Sequence, residues 1–539
     1  MKTLYKNAKI FTANDDALYA DAMLVEDGVI AAVGEESQCG PADEVVDLGG
    51  KRVLPGLIDA HMHGLMLAGY SQQISALPPK INSIADLSEA IAEVAKTKEP
   101  GDWIRGWGFD EGKFAEHRQP TRWDLDKGTT EHPVYILRSC VHIAAVNSCA
   151  LDLAGITKDT PDPEGGCIVR DENGEPTGVL EENARFLVAD LIPIQTDEET
   201  VQQVLDLGEL CLSQGLVGLT DMGWFEPSDP LNYYKQAVAK GLKQDVAVYY
   251  LGESLRDGTA SFEIEDLNQG QARVAGLKLI GDGTFSGHTA WVDEPFLGTD
   301  NYGISTLSDD LLEDTIKFCK ENHCQISIHA MGGQAIERLV SRLAEEENWM
   351  DDDVARARGE AIANMPYARM EHISEPRETS IDKAIEKGIT WVTQPIFQHS
   401  EIESYIENLG LERNKKAYPV KHLLDRGVKM VLSTDAPATS WAVPSDPWPG
   451  LQHAVTRVSY NGVDCGKDQA IDIETAIKLY SREAAIVCGF DRLGMIKEGY
   501  RASFLVMEDD VLEVPAEEIG TVRVGATYID GEKCYELQK

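Results

Sequence analysis

Basic residues are scarce in this chain. Lys and Arg number 49 against 91 Asp and Glu, a net charge of −42 over 539 residues. A surface of that sign repels nucleic acid and anionic membranes and favours solubility, so neither is an expected partner. Long apolar runs are also missing. No segment approaches membrane-spanning length, and Met1 to Ile10 lacks the uninterrupted apolar stretch of a secretion signal. Paired cysteines are absent too. The ten cysteines, at 39, 140, 149, 167, 211, 319, 324, 465, 488 and 534, include no C-x-x-C pair. Such scatter reads as reduced thiols packed as small hydrophobes. Together these absences predict a cytoplasmic protein, and they say little about its substrate.

What is present is the balance of a folded globular protein, 43% hydrophobic and 26% charged. The length exceeds what one core usually serves, which predicts a large domain with a smaller companion or a large insertion. The two ends resemble each other. Met23-Leu-Val-Glu, Asp27-Gly28 and Val29-Ile-Ala-Ala-Val form a hairpin signal, because Asp-Gly supplies the positive φ of a two-residue turn. Near the other end, Val522 to Ile529, Asp530-Gly531 and Glu532 to Tyr535 repeat that style. Residues 1–55 and 495–539 are therefore expected to build one β domain from both chain termini.

Between them, apolar strand-like runs alternate with helical stretches. The runs are 57–62, 216–222, 245–251, 274–280, 325–330, 368–373, 389–395 and 428–434. Amphipathic helices are expected between them, Leu311 to Asn322 and Thr475 to Cys488 among them. Eight strands alternating with helices is the count of a parallel (β/α)₈ TIM-type barrel, here over 56–494. The stretch after the first strand, roughly residues 70–200, is too long for a plain loop and must carry its own structure. It is read as an inserted lid, with a helix from Ser83 to Lys96 and a strand over 133–138.

Groups that can bind metal fall at the ends of these strands. His61 and His63 close the first, and a spacing of two on a strand puts both side chains on one face. Lys278 lies in the fourth strand, His329 ends the fifth, His372 ends the sixth and Asp435 follows the eighth. A lone strand histidine is more often a hydrogen-bonded core residue, and an Asp after a strand usually caps a turn. Six such groups on five strands, all at the C-terminal face where barrel enzymes place their chemistry, point instead to one metal centre. Asp221 and Asp282 are read as ligand-orienting or turn-capping groups.

The first-strand segment, Val53-Leu-Pro-Gly-Leu-Ile-Asp-Ala-His-Met-His, resembles the signature of the amidohydrolase superfamily. The terminal β segments resemble its accessory β-sandwich, and the resemblance covers essentially the whole chain. Arg105-Gly-Trp-Gly-Phe-Asp, Arg138 through Ser148, Gly165-Gly166, Gly178 to Glu181, Lys278 through Gly283, Gln394-Pro395 and Ser433-Thr434-Asp435 resemble one branch, which includes N-substituted formamide deformylase. One departure is visible. The branch often carries an acid soon after the fifth-strand histidine, whereas this chain has Gly333.

The resemblance implies that His61, His63 and Asp435 hold one divalent ion, and that His329 and His372 hold another. Lys278 would join them as a carbamate if two ions bind. Zinc suits imidazole and carboxylate ligands best, with iron, manganese and nickel also open. Asp435 would act as general acid and base in cleaving a non-peptide carbon–nitrogen bond, an N-acyl or N-formyl amide. A deaminase or cyclic-amide hydrolase is the alternative within the same superfamily. A non-catalytic relative is disfavoured, since none of the six ligands is missing. The substrate would be a small molecule, and His142, Arg138 and Trp107 in the insertion, with His288 after the fourth strand, are the candidates for binding it. A homodimer is the default assembly.

Overall fold

A computed structural model describes residues 1–139, 142–226, 228–258 and 262–538. Cys140 therefore lies outside the described residues; the other cysteines are free thiols. No helix among the described residues is long and apolar enough to cross a membrane. The chain forms two compact units. One comprises Met1–Leu65, Val204–Thr439 and Ser445–Lys539, and the other Met66–Gln203 with Ser440–Pro444.

Both chain ends contribute to a pair of sheets in the first unit. A four-stranded sheet runs in the order Val29–Gly34, Ala22–Glu26, Lys2–Lys6, Glu44–Asp47. A six-stranded sheet runs Glu532–Glu536, Val524–Ile529, Phe504–Met507, Arg52–Pro55, Lys9–Phe11, Tyr19–Ala20, so strands from opposite ends of the chain are neighbours. Their shared core holds Met23, Val25 and Ile30 from one sheet and Ile10, Val53 and Val506 from the other. Phe504 stacks on Tyr528 at 4.4 Å between ring centres, with Tyr5 edge-on to both. Each Asp-Gly turn takes the positive φ expected of it, 48° and 83° at Asp27-Gly28 and 50° and 76° at Asp530-Gly531.

The barrel consists of β1 (Leu57–Met62), β2 (Leu216–Asp221), β3 (Asp245–Leu251), β4 (Ala272–Ile280), β5 (Gln325–Ala330), β6 (Ala368–His372), β7 (Thr390–Thr393) and β8 (Met430–Leu432). Each pairs in parallel with the next. Helices cover the outside, so the strands are buried on both faces and read as near-continuous apolar runs. Main-chain bonds just beyond the strand ends tie the seam between β8 and β1. Asp435 N–H donates to the His61 carbonyl at 2.7 Å, and His63 N–H donates to Ala436 at 2.7 Å.

Close strand packing has a measurable consequence at Gly276 on β4, which faces Gln325 on β5. A Cβ there would lie 1.8 Å from the Gln325 carbonyl oxygen, a backbone atom that no rotamer change can move. Gly276→Ala is expected to lower the unfolding free energy by about 3 kcal/mol, the upper part of the usual overpacking range. Urea or thermal unfolding checks it.

One predicted element differs. The helix expected from Thr475 to Cys488 is two helices, Ile473–Leu479 and Arg482–Cys488. Ser481 leaves helical geometry at φ −130°, ψ −82°. The Tyr480 carbonyl accepts from Ile58 N–H of β1 at 2.8 Å instead of continuing the helix. The break thus serves the barrel.

The second unit holds a six-stranded sheet in the order Gly166–Arg170, Pro176–Glu182, Ile143–Val146, Val134–Arg138, Ile104–Phe109, Ile74–Ser75. Helix Ile84–Ala95 packs Ile84, Leu87 and Ile91 against Ile104, Phe109, Val134 and Ile136 of that sheet. Ser83 Oγ caps this helix by accepting from Asp86 N–H.

Candidate metal centre

The C-terminal ends of the barrel strands bring His61, His63, His372 and Asp435 together. Asp435 Oδ1 lies 3.2 Å from His61 Nε2 and 3.4 Å from His63 Nε2. The His372 ring centre is 5.0 Å from that of His61 and 4.4 Å from that of His329. One ligand atom from each of His61, His372 and Asp435 falls within 4.8 Å of the others. Two backbone departures aim these side chains. Asp435 has φ +59° and His372 has φ +77°, both in the left-handed region that a non-glycine residue occupies only when its surroundings hold it there.

Each imidazole has one nitrogen tied to an oxygen that can only accept. His61 Nδ1 donates to Glu371 Oε2 at 2.6 Å, and His63 Nδ1 to the Gly223 carbonyl at 3.3 Å. His329 Nε2 donates to the Gly283 carbonyl at 2.9 Å. His372 Nδ1 donates to Gln394 Oε1 at 2.8 Å, and Gln394 Nε2 donates to Ser433 Oγ at 3.0 Å. A neutral imidazole carries one proton, so every pin leaves the opposite nitrogen with its lone pair. Four histidines held in this way could serve as ligands to a metal ion.

The charges agree. Burial holds His61 below its usual range, with Lys278 adding to the effect, and holds His372 well below it, with His329 adding. Burial alone would raise Asp435, yet His61 and His63 outweigh it and keep the carboxyl well below the ordinary carboxylate range. Lys278 is fully enclosed, and burial pushes its amine down to about 8, against the pull of Glu371 and Asp435. Three buried polar atoms at this centre, His61 Nε2, Asp435 Oδ1 and Lys278 Nζ, make no hydrogen bond. An unpaired buried polar atom costs about 1–3 kcal/mol, so a cluster of nitrogen and oxygen donors of this kind fits a divalent cation.

Several supporting residues were not singled out from the sequence as part of the site. Glu371 takes hydrogen bonds from His61, from Ser327 Oγ at 2.8 Å and from the Arg369 guanidinium. Asp59 accepts from His61 N–H at 3.1 Å and from Thr434 Oγ1 at 2.5 Å, bridging β1 to the loop that carries Asp435. Asp221 and Asp282, read from the sequence as ligand-orienting or turn-capping groups, are buried and hydrogen-bonded. Asp221 accepts from Tyr234 Oη and Leu65 N–H, and Asp282 accepts from the amides of Trp291, Met331 and Gly332.

The substrate candidates engage other partners. His288, at φ +54°, packs its ring on Phe296 at 4.9 Å. In the second unit, Arg138 makes a two-pronged bond to Glu111, and Trp107 is buried and stacked on Tyr70 at 5.1 Å. His142 Nδ1 donates to Glu182 on that unit's surface.

Comparison with known proteins bears on the same features. The profile of the amidohydrolase family matches residues 44–535. The chain is 29% identical to the Bacillus subtilis protein YtcJ, over 99% of this chain and 100% of that relative. It is 27% identical to N-substituted formamide deformylase from Arthrobacter pascens, over 98% and 97% of the two chains. The crystal structure of an uncharacterized metal-dependent hydrolase from Pyrococcus horikoshii shares the fold with a TM-score of 0.72 at 24% identity, covering 96% of this chain and 99% of that one. A family match over nearly the whole sequence, on an eight-stranded barrel, makes this protein a member of the amidohydrolase family.

Proposed function

We propose that the protein hydrolyses a carbon–nitrogen bond outside peptides, in an N-acyl or N-formyl amide, with a divalent metal held by His61, His63, His329, His372 and Asp435. The observation that carries this reading is the set of four imidazoles, each pinned through one nitrogen so that the other presents a lone pair. Imidazole and carboxylate donors favour zinc. Lys278 is read as a further ligand, modified to a carbamate. The identity to N-substituted formamide deformylase puts the formyl group first among acyl groups to test.

When bound, the metal supplies two things: a lowered pKa for water, from about 15.7 toward about 7, and polarisation of the substrate carbonyl. The chain's own groups do the rest. Asp435, whose carboxyl lies well below the ordinary carboxylate range, is ionised at neutral pH, and it can therefore take a proton from the attacking water. The same carboxyl then returns that proton to the leaving nitrogen, which must depart as a neutral amine. The bond from Asp435 N–H to His61 and the bridge from Asp59 to Thr434 keep the carboxyl in place during both transfers.

The test is amine release from a panel of N-substituted formamides, N-acyl amines and cyclic amides. The zinc-loaded protein is expected to cleave the formamides, lose that activity on chelation and regain it with zinc. Release of ammonia from an amino-heterocycle, with no amide cleaved, would instead make the protein a deaminase.

A further inference from the structure

The four pins are not equivalent. Three end on neutral oxygens, those of Gly223, Gly283 and Gln394. Asp282 approaches His329 Nε2 at 3.3 Å, but its oxygens already receive three backbone amides and the ring's hydrogen bond goes to Gly283. Only His61 donates to a carboxylate, and that bond is the shortest of the four, at 2.6 Å. Charge-assisted hydrogen bonds are roughly twice as strong as neutral ones. A ring that shares its proton with a carboxylate is also a more basic ligand through its other nitrogen.

Glu371 is built to stay charged where it lies. It is fully buried, as is Arg369, whose guanidinium binds both carboxylate oxygens and also donates to the Ala60 carbonyl at 2.6 Å, beside His61. Arg369 in turn lies over the Tyr249 ring at 5.6 Å, and Ser327 Oγ gives Glu371 another donor. The arrangement spans β6, β5 and β1. It positions the His61 ring from behind, while His61 Nε2 faces Asp435.

We propose, building on the metal-dependent reading above, that Glu371 is a positioning residue that makes His61 the anchoring ligand, so that the ion held by His61 binds more tightly than any ion held without it. A polar network this deep costs desolvation that an apolar core would avoid, and here that cost returns as metal affinity.

Zinc affinity, measured by competition with a chromophoric chelator, tests the idea without reference to turnover. Glu371→Gln is expected to weaken the tightest zinc by about 100-fold and Gln394→Leu by only about 10-fold, the two ends of the range for outer-sphere partners. Because Glu371→Gln leaves Arg369 buried and unpaired, the double variant Arg369→Met/Glu371→Gln removes both charges together. It should fold, yet bind zinc as weakly as Glu371→Gln. Wild-type affinity in the double variant would mean that Glu371 merely neutralises Arg369, and would overturn the proposal. So would an effect of Glu371→Gln no larger than that of Gln394→Leu. Failure of the wild-type protein to take up zinc would instead sink the metal-dependent reading itself.

Discussion

Asp435→Asn is expected to lower kcat by about 10³-fold, within the span of positioned acid–base catalysis, and to leave KM near its wild-type value. The substitution keeps size and shape, so the left-handed backbone at φ +59° and the bond to the His61 carbonyl are undisturbed. What changes is chemistry. A carboxylate can take a proton from water and give it to the departing nitrogen, and an amide can do neither. The amide would also aim either an oxygen or an N–H at His61 Nε2 and His63 Nε2, which lie 3.2 and 3.4 Å away. Zinc content must therefore be measured alongside the rate. Equal rates for wild type and Asp435→Asn at equal zinc content would remove Asp435 from the mechanism.

Much of this centre was legible in the sequence, because barrel strands announce themselves as apolar runs and ligands at their ends interrupt those runs. His61, His63, Lys278, His329, His372 and Asp435 could all be placed on strand ends in this way. The supporting groups were harder to see, and Glu371 shows why. Strict alternation along β6 would put Glu371 and His372 on opposite faces. Both nevertheless reach the His61 ring, because φ +77° at His372 turns its side chain back. That conformation is imposed by the fold and leaves no mark in composition. A weaker signal did exist. Arg369 and Glu371, two apart in a run that reads as buried strand, share a face and must find partners, since buried charges are paired. Naming His61 as that partner required β1 and β6, which are not neighbours in the sheet, to meet across the barrel, 310 residues apart in sequence.

The break at Tyr480 teaches the same lesson for the fold. Local periodicity from Thr475 to Cys488 is helical throughout, and each half is indeed a helix. A tertiary bond from Ile58 N–H to the Tyr480 carbonyl lies where the halves part. Propensity is a weak prior against such a contact. The gap between the first two strands was readable as structured from length alone, and the sheet and helix of the second unit occupy it. One step in the order of those strands was not, because Ile143–Val146 pairs with Pro176–Glu182 and not with Gly166–Arg170, the strand that follows it in sequence.

Lys278 is expected to take up one carbon dioxide, and its replacement by Met, which removes a ligand, to lower the hydrolytic rate by about 10²-fold or more, at or beyond the usual loss when an outer-sphere partner of a metal is removed. Uptake needs the neutral amine. Its lone pair forms the new bond to carbon, one carbon–oxygen π pair moves to oxygen, and the displaced proton goes to water. Burial brings the amine from 10.5 down to about 8. At pH 7 that leaves about one amine in ten neutral, against about one in 3,000 for an exposed lysine. Reaction with carbon dioxide should therefore rise with pH up to about 8 and level off above it, whereas an unfolded chain would still be rising at 10. The change of sign matters at this position. An ammonium would repel a divalent cation, while a carbamate carries negative charge and two oxygen donors. A carbonyl signal from ¹³C-bicarbonate, present in the wild type and lost in Lys278→Met, would report the modification directly. Undiminished zinc content and rate in Lys278→Met, with no such signal in the wild type, would leave Lys278 as a buried amine outside the ligand set.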